Sequence, residues 1–231
     1  MKALLVYESM FGNTEEVARA VARGLSDRME VELRDVSEAP SPITEFLDLI
    51  VVGGPTHAFS MSKPGTRAEA IRQGAEHGHE GVGLREWLAG LPRGPHSEMV
   101  ATFDTRAEQV KLLPGSAARK ASRQFDRLGY ELIGRESFYV TASSGPLEAG
   151  ELGRAEAWGR HLAMEMALRS VGQSSARRAA GHPAFVFPEG FHAGHRRIAR
   201  DSAADRRDVR RGSLAQNGSG RAWLPAPQRA G

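Results

Sequence analysis

The sequence predicts an α/β domain built on a doubly wound, five-stranded parallel sheet. Two observations favour this fold class. Over the first 170 residues, short apolar runs alternate with segments of helical periodicity, which is the pattern of successive βαβ units. Residues 47–53 and 99–103 are apolar almost throughout, as is typical of central strands that helices cover on both faces. Five strands and their crossover helices therefore account for one domain.

Each element is predicted from its own pattern of side chains. Residues 29–35 alternate apolar and charged side chains, as expected of an edge strand with one solvated face. Residues 77–94 are glycine-rich and polar, which predicts an irregular connection with one helical turn at 84–88. The last helix carries an apolar stripe formed by Leu152, Ala155, Trp158, Leu162 and Met166. The predicted strands cover residues 2–7, 29–35, 47–53, 99–103 and 136–141, and the predicted helices cover residues 13–26, 66–73, 116–128 and 151–170.

The charge distribution divides the chain into a domain, residues 1–171, and a basic tail, residues 172–231. The net charge is +3, but residues 1–171 carry 20 basic and 24 acidic side chains, whereas the tail carries 11 arginines and 4 acidic residues. The tail is dominated by Arg, Ala, Gly, Ser and Pro, and we expect it to be disordered or weakly ordered. Because the basic excess lies outside the predicted domain, nucleic acid is not an expected partner.

The composition also excludes several kinds of chemistry. The chain has no cysteine, so disulfides, thiolate metal sites and iron–sulfur ligation are excluded, and any redox reaction needs a bound cofactor. No apolar run is long enough to cross a bilayer and no apolar leader opens the sequence, so we expect a cytoplasmic protein without a membrane span. The histidines at 77, 79, 192 and 195 lack a complete set of metal-ligating neighbours, and no metal site is predicted.

The strongest functional signal joins the first strand to the first helix, in the segment LVYESMFGNTEEVA at residues 5–18. The hydroxyl groups of Ser9 and Thr14 and the backbone N–H groups of the turn would converge at the helix N-terminus, where the helix dipole favours an anion. Gly12 permits the tight turn that this approach requires. The alternative is that Ser9, Asn13 and Thr14 serve only as turn and cap residues.

Residues 5–18 resemble the flavodoxin family, whose signature specifies two apolar residues, an aromatic residue, Ser or Thr, a small residue, Thr and Ala at this spacing. Every specified position is matched. The resemblance extends over about residues 1–170 and implies the strand order 2-1-3-4-5, with FMN at the carboxyl ends of the strands. It implies that the FMN phosphate is bound by Ser9, Met10, Phe11, Gly12, Asn13 and Thr14.

The resemblance implies a second contact loop at residues 53–59, directly after a central strand. In the family, the equivalent loop flanks the isoalloxazine ring and its backbone bonds the N5 edge of the ring. His57 stands where tryptophan is often found, so either His57 or Phe59 would offer a ring face for stacking. The alternative is a Gly-Pro loop with a surface histidine. The predicted contacts are Pro55, Thr56, His57, Ala58 and Phe59.

A third contact loop is implied at residues 102–106, on the pyrimidine side of the flavin. Asp104 or backbone groups would accept a hydrogen bond from the ring N3–H, and Arg106, if it faces the ring, would favour the anionic reduced flavin. The tyrosine usual in this loop is missing, and Asp104 and Thr105 are also ordinary turn residues. The predicted contacts are Phe103, Asp104, Thr105 and Arg106.

Three functions are compatible with these residues. The favoured one is an electron-transfer flavoprotein in which FMN passes electrons between a cellular reductase and an acceptor, and no residue acts as acid or base. The second is an NAD(P)H-dependent quinone reductase of flavodoxin-like fold, because residues 55–59 are similar to a loop of that group and residues 60–65 would border a quinone pocket. The third is a flavin-free binding or regulatory module. Electron-carrying flavodoxins are usually strongly acidic, whereas residues 1–171 are only mildly so.

Overall fold

The computed structural model describes the backbone of residues 1–142 and 144–180, and the side chains of these residues as far as 172. The strands are β1 (Lys2–Tyr7), β2 (Glu30–Asp35), β3 (Leu49–His57), β4 (Ser60–Met61), β5 (Met99–Ala107) and β6 (Glu131–Val140). The helices are α1 (Asn13–Leu25), α2 (Pro64–Arg72), α3 (Leu84–Ala89), α4 (Ala117–Leu128) and α5 (Glu151–Ala180), and a short 3-10 helix spans Glu108–Val110.

The sheet runs in the order β2-β1-β3-β5-β6, and all neighbouring pairs on this path are parallel. The two-residue strand β4 lies off the path and pairs antiparallel with the end of β3. Counted without β4, this is the order 2-1-3-4-5 that was predicted. The edge position of β2 also confirms the interpretation of its alternating side chains, since Glu30 and Arg34 are exposed.

Helices cover both faces of the sheet, as the doubly wound prediction requires. On one face, α1 and α5 enclose a core that includes Val17, Val21 and Leu162. On the other face, α3 and α4 contribute Trp87 and Phe125 to a second core. Because both faces of the sheet are apolar and covered, the central strands bury nearly all of their side chains.

The helices α1 and α5 touch through glycines. A Cβ atom on Gly24 would lie 2.1 Å from the carbonyl oxygen of Glu156, and one on Gly159 would lie 2.3 Å from the carbonyl oxygen of Val21. Any larger residue at either position would push the two backbones apart. This close approach holds α1, and with it the turn that precedes α1, against the sheet.

Four elements extend well beyond their predicted bounds, and one of them is β6, which begins at Glu131 rather than at residue 136. Both β3 and β5 continue four residues beyond their predicted ends, through segments that were interpreted as loops. They remain extended because β3 pairs with β4 and because β5 pairs with β6 as far as Ala107. Helix α5 continues to Ala180, so residues 172–180 are helical rather than part of an irregular tail. The rest of the predicted tail lies outside the described residues, and the boundary at 171 stays a prediction.

Helix α5 has 30 residues, which is long enough for a membrane span by length alone. Within the part of the chain that the structure describes, neither α5 nor any other helix is long and apolar enough to cross a bilayer.

Candidate functional site

A pocket of about 370 Å³ lies at the carboxyl ends of β3 and β5 and beside the start of α1. Its volume is within the range of small-molecule sites, and its position is the usual ligand crevice of an open α/β sheet. All three predicted segments contribute to its wall. The predicted residues that line it are Met10, Phe11, Asn13, Thr14, Pro55, Thr56, His57, Ala58, Thr105 and Arg106.

The turn between β1 and α1 presents backbone donors. Gly12 has φ 85°, in the left-handed region that favours glycine, and it precedes the first helical residue without a side-chain cap. Ser9 is buried, and its Oγ accepts a long hydrogen bond of 3.4 Å from the N–H of Glu15. Among the described residues, no acceptor is assigned to the N–H groups of Phe11, Gly12 and Asn13. This turn, residues 9–14, is called the anion loop below because such free donors at a helix start attract an anion.

Thr14 joins the anion loop to the end of β5. Its Oγ1 lies 2.7 Å from the Oγ1 of Thr105, and both side chains are buried. On the other side of the loop, the side-chain amide of Asn13 donates to the carbonyl oxygen of Ser144. The loop is therefore tied both to the end of β5 and to the segment that follows β6.

The end of β3 and the strand β4 form a hairpin with only two residues at its tip. His57 pairs with Ser60, and the two tip residues, Ala58 and Phe59, have φ of 46° and 61°. A two-residue hairpin whose tip residues both have positive φ normally contains glycine or asparagine, so this tip is strained. Arg85 holds β4 in place, since its guanidinium donates to the carbonyl oxygen of Met61 at 2.9 Å.

The hairpin brings His57 to the pocket and leaves Phe59 outside it. Burial lowers the pKa of the His57 imidazole, and the positive charge of Arg67 lowers it further. His57 is therefore neutral near pH 7 and offers an uncharged ring face. The ring of Phe59 is 45% exposed and does not line the pocket, so of the two predicted stacking residues only His57 is at the pocket wall.

Asp104 and Phe103 do not reach the pocket with their side chains. Because β5 continues as a strand, successive side chains point to opposite faces of the sheet. Phe103 packs in the core, edge-on to Phe138 with ring centroids 6.0 Å apart. The buried Asp104 Oδ2 accepts hydrogen bonds from Thr56 Oγ1 at 3.1 Å and from the N–H of Ala118 at 2.9 Å. The Asp104 carboxylate thus links Thr56 in the hairpin to the start of α4 through Oδ2, and Asp104 does not line the pocket.

Arg106 lines the pocket and is only 8% exposed. Its guanidinium donates to the carbonyl oxygens of Val110 and Leu113, while its Nε has no partner. Within residues 1–142 and 144–172, no carboxylate pairs with this buried cation. A buried charge without an opposite charge is costly, so the Arg106 site is best compensated by an electron-rich or anionic ligand group.

Helix α2 supplies a wall that sequence reasoning missed. It starts at Pro64, directly after β4, and the hairpin turns it over the pocket. No local signal at residues 66–73 identifies them as lining residues, because the sequence predicts a loop where the hairpin redirects the chain. Gly65 belongs to the segment 60–65 that is expected to border a quinone pocket, and the pocket residues absent from every prediction are Thr66, Glu69, Ala70, Gln73, Ala107, Val110 and Val140. The predicted residues that the structure leaves off the pocket wall are Ser9, Gly12, Phe59, Phe103 and Asp104.

Comparison with known proteins shows which fold the chain adopts. No protein-family model and no curated protein matches the chain. It is similar to a flavodoxin from Streptococcus pneumonia TIGR4, with 18% identity and a TM-score of 0.50 over 71% of this chain and 99% of that one. A flavodoxin from the domain Archaea (18% identity, TM-score 0.49, 72% and 99% covered) and oxidised Flavodoxin 2 from Bacillus cereus (19%, 0.49, 73% and 99%) are also similar. At this identity the streptococcal structure shows the fold alone: the chain has a flavodoxin-like α/β fold.

Proposed function

We propose that the chain binds FMN and transfers electrons between a redox partner and an acceptor. The observation that carries this proposal is the position of the anion loop. Its N–H groups without an assigned acceptor belong to a turn that lines the pocket, and the other walls come from the ends of β3 and β5 and from α2. A flavin mononucleotide has a phosphate at one end and a polar ring at the other, which matches this division of the pocket.

The residues present fit such a ligand. The anion loop and Thr14 would hold the phosphate, because they offer hydrogen-bond donors at a helix start. The neutral imidazole of His57 and the strained backbone of Ala58 would face the ring. Arg106 would bring its buried positive charge to the ring side of the pocket and so favour electron uptake there.

Bound FMN supplies the reversible electron transfer that a chain without cysteine cannot supply itself. The chain's own residues bind and orient the cofactor and set the charge around it. His57 stays neutral because of its burial, and the Asp104 carboxylate is turned away from the pocket. We therefore assign no residue as a general acid or base, which suits a carrier of electrons.

One observation favours a second function, the reduction of a quinone by NAD(P)H. Helix α2 adds the polar side chains of Thr66, Glu69 and Gln73 to the pocket wall, beyond the three segments that would hold FMN. Such a wall would border a second, small substrate. The carrier remains the favoured function because the residues assigned to FMN account for the anion loop and for the Arg106 charge without a further ligand.

The experiment that separates these functions is an absorption spectrum of the FMN-reconstituted chain, recorded anaerobically before and after addition of NADPH and, separately, NADH. The carrier predicts bound flavin bands that neither nucleotide bleaches but that a chemical reductant does. Bleaching by a nucleotide, with reoxidation by an added quinone, would support the reductase. A protein that leaves a desalting column colourless would contradict both functions and favour a flavin-free module.

A further inference from the structure

The segment between α2 and α3 packs against the anion loop. The N–H of His77 donates to the carbonyl oxygen of Met10 at 3.2 Å. A Cβ atom on the next residue, Gly78, would lie 2.6 Å from the sulfur of Met10 and 2.7 Å from the carbonyl oxygen of Ser9. Only a residue without a side chain allows this contact, and the φ of 81° at Gly78 also favours glycine. The segment therefore holds the His77 side chain beside the loop.

The imidazole of His77 has two different neighbours. Its Nδ1 lies 3.4 Å from Oε2 of Glu15. Its Nε2 faces Gly12, since a Cβ atom on Gly12 would lie 3.6 Å from it. A carboxylate on one ring nitrogen fixes the orientation of a histidine and presents the other nitrogen to a ligand. Nε2 is thus presented towards Gly12, whose N–H group has no assigned acceptor among the described residues, while His77 itself is not one of the residues that line the pocket.

The charged groups around His77 bear on how the anion loop would bind a phosphate. Glu15 is the only carboxylate in contact with the imidazole among the described residues, and Arg19 also donates to it at 3.1 Å. Burial raises the pKa of the Tyr7 phenol, and the nearby Glu15 carboxylate raises it further. A carboxylate next to a phosphate site would weaken phosphate binding, and a protonated imidazole in contact with that carboxylate would offset this effect.

We propose that His77 is a phosphate-binding residue: the imidazolium donates from Nε2 to the phosphate group of FMN and from Nδ1 to Glu15. This inference rests on the proposed FMN function and adds the only charged side chain that we assign to the phosphate. A contact between His77 and the phosphate would make the site selective for FMN over riboflavin. FMN and riboflavin share the ring and differ in the phosphate, so His77 discriminates between them.

The test compares the binding of FMN and riboflavin to the apoprotein, measured by quenching of flavin fluorescence in the same buffer. The variant is His77→Ala, and the matched control is His79→Ala, because His79 is exposed in the same segment and no contact is assigned to it. We expect His77→Ala to raise the dissociation constant for FMN about tenfold, the effect of one charge-assisted hydrogen bond at a half-exposed site. The dissociation constant for riboflavin should stay within about twofold, and the control should change neither value.

A second variant separates charge from shape. His77→Lys keeps a positive charge near the phosphate and should recover much of the lost FMN affinity, whereas a purely structural role of the imidazole would leave this variant as weak as His77→Ala. Equal losses of FMN and riboflavin affinity, or no loss at all, would overturn the inference. A wild-type apoprotein that binds neither flavin would overturn the proposed function itself, and the inference with it.

Discussion

The hydroxyl oxygens of Thr14 and Thr105 lie 2.7 Å apart although 91 positions separate these residues along the chain. Thr14 belongs to the first turn of α1 and Thr105 to the end of β5, and both line the pocket. This hydrogen bond fixes the distance between the anion loop and the strand that carries Arg106. It is the most direct link between the two ends of the candidate flavin site.

Removing this hydrogen bond should destabilise the apoprotein. We expect Thr14→Val and Thr105→Val each to lower the free energy of unfolding by about 1–2 kcal/mol, because each leaves a buried hydroxyl with one partner fewer. The double variant should lose clearly less than the sum of the two single losses. Urea denaturation of the four proteins measures this coupling, and strictly additive losses would contradict the hydrogen bond.

The contact between α1 and α5 should tolerate no side chain at Gly24 or Gly159. Alanine at either position would place its Cβ within 2.3 Å of a backbone oxygen. We expect each alanine variant to lower the free energy of unfolding by about 2–3 kcal/mol. Gly153→Ala is the matched control in α5, since a Cβ there would meet nothing within 4 Å. The control should gain about 0.5–1 kcal/mol from helix propensity in the same denaturation experiment. A loss of stability in the control would contradict the explanation that the close contact between α1 and α5 causes the losses at Gly24 and Gly159.

The strained hairpin tip should be relieved by glycine. Ala58 has φ 46°, so Ala58→Gly removes the strain but adds freedom to the unfolded chain. The two effects oppose each other, and we expect a net gain in the free energy of unfolding of about 0.5 kcal/mol. At Ala107, where φ is −62°, glycine relieves no strain and should lower stability. Thermal or urea unfolding of both variants checks the opposite signs, and a loss at both positions would argue against strain at the tip.

Glu8 gives the protein a specific pH dependence. Its carboxyl is almost fully buried, and burial raises its pKa above the ordinary value of 4.5, against the opposing effects of Ser62, the N–H of Leu84 and Arg67. Since the folded state binds the Glu8 proton more tightly than the unfolded state does, this group contributes stability that is fully present below pH 4.5 and is lost as the pH rises through the folded-state value.

Glu8→Gln removes that titration. Relative to this variant, the wild-type free energy of unfolding should fall steadily as the pH increases from about 4.5 towards neutrality. Urea denaturation of both proteins across this range provides the measurement. The substitution also changes the surroundings of the buried Arg67, which shifts the stability of the variant at every pH. The test is therefore how the difference in free energy of unfolding between the two proteins changes with pH. A constant difference over the whole range would contradict a raised pKa at Glu8.

The main strands and helices and their arrangement in two helical layers could be predicted because their signals are local, whereas the strand order was implied by the family resemblance. The apolar stripe of α5 is an example: Ala155, Leu162 and Met166 are buried as expected, and only Leu152 at the start of the helix is substantially exposed. The anion loop could also be predicted, because its donors and its glycine are adjacent in sequence and need no distant partner to form the turn.

The remaining features depend on contacts between distant segments. Residues 54–57 have the composition of a loop, and only pairing with β4 and β5 keeps them extended. The position of Asp104 also depends on strand pairing, because the continuation of β5 directs its carboxylate towards α4. His77 lies in a polar, glycine-rich segment, and its approach to Gly12 becomes visible only once that segment has folded.

The most direct test of the central claim is a calorimetric titration of the full-length apoprotein with FMN, run beside Thr14→Val as a pocket variant and Gly153→Ala as a variant outside the pocket. We expect one FMN per chain, weaker binding by Thr14→Val and unchanged binding by Gly153→Ala. Absence of saturable FMN binding to the folded wild-type protein, or equal affinity in all three proteins, would contradict it.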